Sequence, residues 1–375
     1  GLGGVEGLFR AALAALAELD CLAALAQVSA TPGWVRPRIL AGEGGAYVDV
    51  RAGKHPVLDL IMDGNYVPND LLLVGGQDAE GASSLGAASQ LPSDGAGTSS
   101  QLPSDGAGTT DQLPASAPSR SLPTAPSSLV ITGPNMGGKS SFVRQAALLA
   151  ILAQMGCWVP AEAMTLRPLD AILTRMGASD SLALGRSTFM EELGETAAIL
   201  QTATPRSLAI LDELGRGTST RDGLAIASAT LHYLATRVKC ACLFVTHHPE
   251  VAALARELPA LVAPYYMSYA EQAGKEAGPR GEPAGASPPS IAFLYKAVPG
   301  VAPASYGVHV ASMARMPDSI LRRASAVVSA CRGAAERRIL GSALHWARSD
   351  SPDALQALRG LQAQARHMVG DRATD

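Results

Sequence analysis

Short apolar runs separated by helical patterns occupy the middle of this chain. Each run is bounded by polar or glycine residues and therefore predicts a strand; the runs are "SLVIT" (128–132), "DAILTRMG" (170–177), "SLAILDE" (207–213) and "CACLFVTHH" (240–248). Helices are predicted from Lys139 or Ser140 to about Met155, and from starts near Phe189 and Arg221. Strands that alternate with helices favour an α/β fold with a largely parallel sheet flanked by helices.

Longer periodic segments flank this region. Leucines at helical spacing predict a helix over 7–30, and its mostly apolar circumference requires packing partners. Between about 34 and 74, "RPRIL", "AYVDVRAG" and "LLLVGG" predict short strands. After Pro317, the spacing predicts two helices, near Ser319–Arg332 and near Leu355–Met368.

Two tracts of low complexity interrupt the pattern. The segment 75–128 contains "SQLPSDGAGT" at 89–98 and again at 100–109, and a second tract covers 271–290. Both have few large apolar side chains, so they cannot bury enough surface to order themselves, and we predict disordered insertions. The predicted domains are then a helical segment at 1–33, an α/β domain at 34–317 that contains both insertions, and a helical region at 318–375.

Composition narrows the functional classes. The 375 residues are 47% apolar and carry a net charge of −3, so there is no basic excess that would indicate a large nucleic-acid surface. The cysteines are odd in number and scattered, and "CAC" at 240–242 is interpreted as part of a buried strand rather than a metal pair. No signal peptide is visible, and no apolar stretch reaches ~18 residues without a charge or a break. We therefore expect a soluble chain with no membrane partner.

The stretch "GPNMGGKSS" at 133–141 follows the first central strand directly. Its first eight residues fit G-x-x-x-x-G-K-[ST], the loop whose backbone N–H groups bind nucleotide phosphates at a helix start. In such a loop, Lys139 reaches the β- and γ-phosphates and the Ser140 hydroxyl is a ligand of Mg²⁺. A glycine-rich turn that only caps the helix is the simpler alternative, and the complete pattern between a strand and a helix disfavours it.

Polar residues that end two other strands complete the pattern of a nucleotide hydrolase. Asp212 follows four apolar residues, where it would hold Mg²⁺, and Glu213 would orient or deprotonate the attacking water. "VTHH" ends another strand; we favour His247 over His248 as the residue that senses the γ-phosphate, because it lies nearer the strand end. Acids that only terminate a strand and an exposed histidine are the alternatives.

The segment "GRSTFMEEL" at 185–193 has two compatible interpretations. Thr188 with Glu191 forms a capping box, and a capped helix start that faces solvent is also an anion site. It could therefore complete the ATP site of another subunit.

Taken in order, "TGPNMGGKSS", "TRMGASD", "GRSTFMEEL", "LDELGRGTSTRDG" and "VTHHPE" resemble the ATPase domain of the MutS family of DNA mismatch-repair proteins. "KHPVLD" and "NYVPND" before them and "FLYKAVPGVAPASYGVHVASMARMP" after them match the family too, and the combination is closest to its third eukaryotic branch. The resemblance covers most of the chain outside the two tracts.

This resemblance implies a P-loop fold of the ABC type, with two composite ATP sites at a dimer interface, and therefore ATP and Mg²⁺ as cofactors. Tyr66 would stack on adenine, Glu213 and His247 would be catalytic, and Ser187 would act in trans on the partner's ATP. The metal ligands would be Ser140 and Asp212. The nucleotide-binding residues would be Tyr66, Gly133, Pro134, Asn135, Met136, Gly137, Gly138, Lys139, Ser140 and Ser141.

Other implications concern partners. Residues 1–33 resemble only the end of the family's core and lever helices, and the stretch from Ser305 onward resembles its C-terminal helical dimerisation element. The partner implied is a second MutS-family subunit. The resemblance also implies that mismatched or looped DNA is contacted through domains that this chain lacks, and that the protein works in the nucleus. Two features depart from the expectation: His248 stands where the family usually has tyrosine, and the insertion at 75–128 separates Tyr66 from the phosphate loop.

Three alternatives stay open. Another ABC-type ATPase is disfavoured because the chain has "STFMEEL" where those proteins carry an LSGGQ-like sequence. A module that binds nucleotide without turnover is disfavoured by the intact Lys139, Asp212 and Glu213. A meiotic MutS paralogue would use the same ATPase, so these residues do not separate it from a repair protein.

Overall fold

The computed structural model describes residues 2–77, 125–177, 188–272, 290–302, 306–347, 358–362 and 365. Most of the two predicted insertions, Ser187 and most of the second predicted C-terminal helix lie outside the described residues. The strands are β1 (Trp34–Val35), β2 (Arg38–Ile39), β3 (Tyr47–Gly53), β4 (Asn69–Val74), β5 (Ser128–Thr132), β6 (Val159–Pro160), β7 (Ala163–Arg167), β8 (Ile172–Arg175), β9 (Leu208–Asp212), β10 (Ala241–Val245), β11 (Val262–Gln272) and β12 (Ser290–Pro299). The helices are α1 (Leu2–Ser29), α2 (Pro56–Ile61), α3 (Lys139–Gln154), α4 (Thr188–Thr202), α5 (Thr220–Tyr233), α6 (Leu254–Glu257), α7 (Gly307–Met313) and α8 (Asp318–Ala347).

The central sheet has six strands in the order β12-β11-β5-β10-β9-β8. Neighbouring strands from β11 to β8 pair in parallel, and β12 is an antiparallel edge strand. Every residue of β5, β9 and β10 is buried, because structure covers both faces of the sheet. The carboxyl ends of these three strands therefore meet at one edge, where the phosphate loop leaves β5.

Side chains alternate along the central strands between two cores. Leu129 and Ile131 face the core that contains Phe142 of α3. Val130 and Phe244 face the other core, which contains residues of α5. Cys240 and Cys242 lie buried in this second core, as interpreted, although Cys240 directly precedes β10 and only Cys242 lies within it.

A second sheet, of four strands in the order β2-β7-β3-β4, packs on α3 within the first core. The strand β7 was not predicted from the sequence, and neither were β11 and β12. α2 follows β3 at the sequence "KHPVLD", and its first turn is capped by His55, whose Nδ1 accepts from the N–H groups of Val57 and Leu58 at 3.3 and 3.2 Å. This sheet and α2 place the segment 65–69 beside the phosphate loop.

The two long terminal helices are largely exposed. Phe9, Leu16 and Leu19 of α1 are each 64% exposed, which agrees with the expectation that this apolar helix needs further partners. By length and composition, Phe9–Ser29 is apolar enough to cross a membrane, although Glu18 and Asp20 interrupt the run.

The helix α8 extends well past its predicted end. It was predicted to end at Arg332, before Gly333, but the structure continues it to Ala347. The residues that follow are rich in alanine, arginine and leucine, whose helix propensity offsets the cost of about 1 kcal/mol for each of the two glycines, Gly333 and Gly341.

Candidate nucleotide-binding site

The loop between β5 and α3 curves around the ammonium group of Lys139. Its Nζ donates to the carbonyl oxygens of Gly133 and Pro134 at 2.8 and 3.1 Å, and to Asn135 Oδ1 at 3.4 Å. Gly133 and Gly138 adopt φ of +126° and +93°, which is why glycine is needed at these turns. The loop therefore holds one fixed cation at the start of a helix, the arrangement that binds phosphate.

Burial makes this cation energetically costly. Lys139 is only 5% exposed, and desolvation lowers the pKa of its ammonium, although the nearby carboxylates of Glu213 and Asp212 oppose that shift. A buried ammonium that carries its charge favours an additional anion close by. The position next to the loop's N–H groups makes a phosphate the fitting anion.

Ser140 and Asp212 meet at the sheet edge. The Ser140 hydroxyl donates to Asp212 Oδ2 at 2.8 Å, while Asp212 Oδ1 is buried without a hydrogen-bond partner. Burial raises the pKa of the Asp212 carboxyl. A hydroxyl beside a carboxylate with an unpaired oxygen is a donor set that suits Mg²⁺. Among the described residues no three His, Cys, Asp or Glu side chains cluster around one point, so a cation here would also need phosphate or water ligands.

Glu213 is held by two cations or potential cations. His247 Nε2 lies 2.5 Å from Glu213 Oε1, and Arg216 donates to Oε2 at 2.7 Å. The hydrogen bond from His247, assisted by Arg216, lowers the pKa of the Glu213 carboxyl to about 2. The backbone of Glu213 has φ of +61°, and its N–H donates to Val245 O on the neighbouring strand β10 at 2.9 Å. The carboxylate is therefore ionised and fixed in direction.

The two neighbouring histidines differ in their contacts. The ring of His247 reaches Glu213, whereas the backbone N–H of His248 donates to Thr246 Oγ1 at 3.0 Å. Both rings border a second, smaller cavity of about 150 Å³ on the far side of Glu213. The contact with Glu213 therefore favours His247 as the residue that could sense a change at the carboxylate.

A buried ion pair lies behind this edge. Arg175 of β8 and Glu192 of α4 are 2.9 Å apart, and their side chains are 6% and 5% exposed. Arg175 also donates to the backbone carbonyl of Asp212 at 2.7 Å, and Glu192 accepts from the N–H of Gly215 at 2.5 Å. The pair thus fixes the backbone on both sides of Glu213 and joins it to α4. Sequence reasoning did not identify these residues, although both lie in motifs that it quoted.

A cavity of about 600 Å³ opens above the phosphate loop. Tyr66 lies in its wall, and its hydroxyl donates to Gln145 Oε1 of α3 at 3.1 Å. Burial raises the pKa of this hydroxyl to about 12, so it stays a neutral donor. Leu58 of α2 and Met62, which directly follows this helix, add apolar surface. Tyr295 of β12 also lines the cavity and was not predicted, even though the sequence "FLYK" carried part of the family resemblance.

The structure brings most of the predicted residues to this cavity. Its lining includes Tyr66, Pro134, Asn135, Met136, Gly138, Lys139, Ser140, Ser141 and Glu213. Gly133 and Gly137 are parts of the loop that do not line it, and Asp212 is reached through Ser140. His247 lies behind Glu213, at the smaller cavity. Ser187, predicted to act in trans, lies outside the described residues.

Comparison with known proteins gives the family. Residues 129–332 match the model of MutS domain V. The chain is 40% identical to the DNA mismatch repair protein MSH3 of Arabidopsis thaliana over 84% of this chain and 24% of the relative. It is 42% identical to MSH3 of Coccidioides immitis, over 84% and 22%, and 38% identical to MutS of Chloroflexus aurantiacus, over 86% and 27%.

The chain therefore spans only about a quarter of the length of these curated relatives. The matched domain contains the phosphate loop, Asp212, Glu213 and His247. On this evidence the chain belongs to the MutS family of DNA mismatch-repair proteins and corresponds to an MSH3-like C-terminal portion.

Proposed function

We propose that this chain binds and hydrolyses ATP at a composite dimer interface, and so drives a clamp bound to a mismatch or an insertion/deletion loop. One observation carries the proposal. The Lys139 ammonium, the Ser140–Asp212 pair and the Glu213–His247 pair all lie at one edge of the sheet. This combination supplies a phosphate-binding cation, oxygen ligands for a metal, and a fixed carboxylate for water.

Each group has a distinct task in this proposal. Lys139 and the N–H groups of its loop bind the β- and γ-phosphates, and Ser141 with Asn135 complete the cradle. Ser140 and Asp212 hold Mg²⁺, which neutralises phosphate charge when bound. The cavity of about 600 Å³ falls within the usual range for a small-molecule site, and Tyr66 forms part of its wall for the base.

The low pKa of Glu213 constrains its role in hydrolysis. A carboxylate with a pKa of about 2 is a poor proton acceptor at neutral pH, so its main contribution is to orient the attacking water. His247 is the group that links this carboxylate to events at the γ-phosphate, because its ring already bonds to Oε1. A changed phosphate contact at His247 therefore alters the direction of the carboxylate.

Partners belong to the same proposal. Ser187 precedes α4 and would act on the ATP of a second MutS-family subunit, so two subunits are required for two complete sites. The apolar side chains of Leu340 and Leu344 in α8 are 62% and 50% exposed. Exposed leucines on this helix support a dimerisation surface. DNA with a mismatch or a loop is contacted by parts of the protein beyond this quarter of its relatives' length. The working location is the nucleus, with no membrane partner.

The test of this proposal is the variant Glu213→Gln. The amide keeps the shape but loses the charge that orients the water, so ATP affinity should be retained while turnover falls roughly 10²-fold or more. Turnover is measured by phosphate release over a range of protein concentrations, because a composite site predicts that turnover per chain rises with concentration. Glu250→Gln is the matched control, since this exposed acid follows the neighbouring strand β10 and is not among the residues that line the nucleotide cavity.

Two results would count against the assignment. Wild-type turnover in Glu213→Gln would remove the carboxylate from the mechanism. ATP binding without any hydrolysis by the wild-type chain, at all concentrations and with a partner subunit, would instead favour the module that binds nucleotide without turnover.

A further inference from the structure

The edge strand β12 contains a bulge at the nucleotide cavity. Met267 of β11 pairs with Ala297, but Tyr269, two residues later, pairs with Phe293. The segment 294–296 therefore bulges out opposite a single residue of β11. Tyr295, at the centre of the bulge, has φ of +55°, a conformation that is unfavourable for a bulky aromatic residue. Such a conformation persists only where the surrounding structure holds it.

One buried side chain holds this bulge. Asn69, at the start of β4, is 1% exposed, and its Nδ2 donates to the carbonyl oxygens of Tyr295 and Val67 at 2.9 and 3.1 Å. Its Oδ1 accepts from the N–H of Ala297 at 2.7 Å. Both amide hydrogens and the amide oxygen are therefore used, and no other residue type supplies two donors and an acceptor at this reach. Lys296 adds an outer bond, from Nζ to Pro68 O at 2.8 Å.

The bulge and the phosphate loop are in contact. A Cβ atom added to Gly138 would lie 3.2 Å from Cδ1 of Tyr295, so the tyrosine ring lies against the end of the loop. Tyr66, on the other wall, precedes Asn69 by only three residues. One amide thus bonds both to the bulge that carries Tyr295 and to Val67, the residue next to Tyr66 in the cavity wall.

We infer that Asn69 is a positioning residue that sets the preference of this site for a nucleotide over a bare triphosphate. It holds Tyr295 in a strained backbone conformation, with the tyrosine ring against Gly138 at the end of the phosphate loop. Flat aromatic rings bind bases by stacking, so a displaced Tyr295 weakens recognition of the base and leaves the phosphate loop unchanged. The inference rests on the proposed function, because it concerns the base of the same ATP.

The experiment compares two ligands, Mg-ATP and Mg-tripolyphosphate, by calorimetric titration of the full chain. For Asn69→Ala we expect ATP affinity to fall about tenfold, with tripolyphosphate affinity changed less than about twofold. Lys296→Met, which removes only the outer bond, should show the same selective loss to a smaller extent. Asp170→Ala is the control for stability, since it removes the bonds from Thr204 and Ser207 at the opposite edge of the sheet.

The outcomes separate the inference from the proposed function. A parallel loss of both ligands in Asn69→Ala, or no loss of either, would overturn the positioning role. If Asn69→Ala does not fold, Lys296→Met decides in the same way. A wild-type chain that binds ATP no better than tripolyphosphate would overturn the inference while the phosphate site survives. A wild-type chain that binds neither ligand would overturn both.

Discussion

The phosphate half and the base half of the site are built in different ways. The phosphate half comes from one continuous stretch, 133–141, together with residues that end two adjacent parallel strands. The base half is assembled from α2, the segment 65–69 and the bulge of β12. Asn69 and Tyr295, which are joined by a hydrogen bond, lie 226 positions apart in the sequence. Local spacing is thus sufficient for phosphate, whereas the base wall depends on tertiary contacts between remote segments.

The forces that hold the two halves differ as well. The phosphate half depends on buried charge: Lys139, Asp212 and the Arg175–Glu192 pair lie in a region of low dielectric, where an unpaired charge is costly. The base half depends on apolar surface and neutral hydrogen bonds, those of Tyr66 and Asn69. Changes in the first half should therefore affect stability and turnover strongly, and changes in the second should affect affinity more selectively.

The largest expected effect is in the phosphate half, for Arg175→Met. This variant leaves Glu192 buried without its cation, so we expect the free energy of unfolding to fall by about 3–5 kcal/mol. Chemical denaturation measures the loss. The double variant Arg175→Met/Glu192→Leu should recover much of it, because it removes both charges together. Arg256→Met, at an exposed position of α6, is the control and should change stability by less than about 0.5 kcal/mol.

A loss in Arg175→Met no larger than that in Arg256→Met would contradict the view that buried charge supports the phosphate half. Buried charge would then not distinguish the phosphate half from the base half of the site.

A moderate effect is expected in the base half, for Tyr66→Ala. Loss of a stacking ring should make the free energy of ATP binding less favourable by about 1–3 kcal/mol, while the affinity for tripolyphosphate stays unchanged. Tyr66→Phe keeps the ring and loses only the hydrogen bond to Gln145, so the free energy of ATP binding should become less favourable by only about 1 kcal/mol. Tyr233→Ala, an exposed tyrosine of α5, is the control for the titration. An equal loss of both ligands in Tyr66→Ala would place the tyrosine outside the base wall.

The smallest effect is a dependence of stability on pH through His55. Burial lowers the pKa of this imidazole below its usual value of 6.5, with Arg144 as a further cause. Because the folded-state pKa is lower than the unfolded one, the stabilisation is present above pH 6.5 and is lost as the pH falls through the folded value. Protonation also removes the Nδ1 acceptor that caps α2.

His55→Asn keeps a capping side chain but does not titrate, so the unfolding free energy should fall less between about pH 7 and pH 5 than it does in the wild-type chain. His232→Asn, at an exposed position, is the control. An unchanged profile in His55→Asn would show that the cap does not titrate with folding.

The contrast between the two halves also explains what the sequence could reveal. The strand before the loop, the start of α3 and Asp212 at the end of β9 follow from local spacing, and the structure places them at one edge. Tyr295 and Asn69 could not be paired from the sequence, because the bulge of β12 depends on its register with β11. Arg175 and Glu192 meet only when α4 packs behind the sheet, which no single-segment pattern encodes.

Strands were missed and one helix end was misplaced in the sequence-based prediction. The strands β11 and β12 border the low-complexity tract at 271–290. Their pattern of apolar and polar residues merges into a segment that cannot form a core, so the strands were not recognised. The predicted end of α8 near Arg332 was also wrong, because residues of high helix propensity continue the helix to Ala347. The predicted domain limits at 33 and 317 remain predictions.

The central claim is that the phosphate loop binds ATP, and ligand-induced stabilisation tests it most directly. A ligand that binds only the folded state at about 100 times its Kd adds about 2.7 kcal/mol of stability, a rise of several degrees in Tm. We predict this rise for the wild-type chain with Mg-ATP, and no rise for Lys139→Ala. Lys239→Asn, at a left-handed position before β10, should keep the full rise. An equal rise in Lys139→Ala would contradict the account.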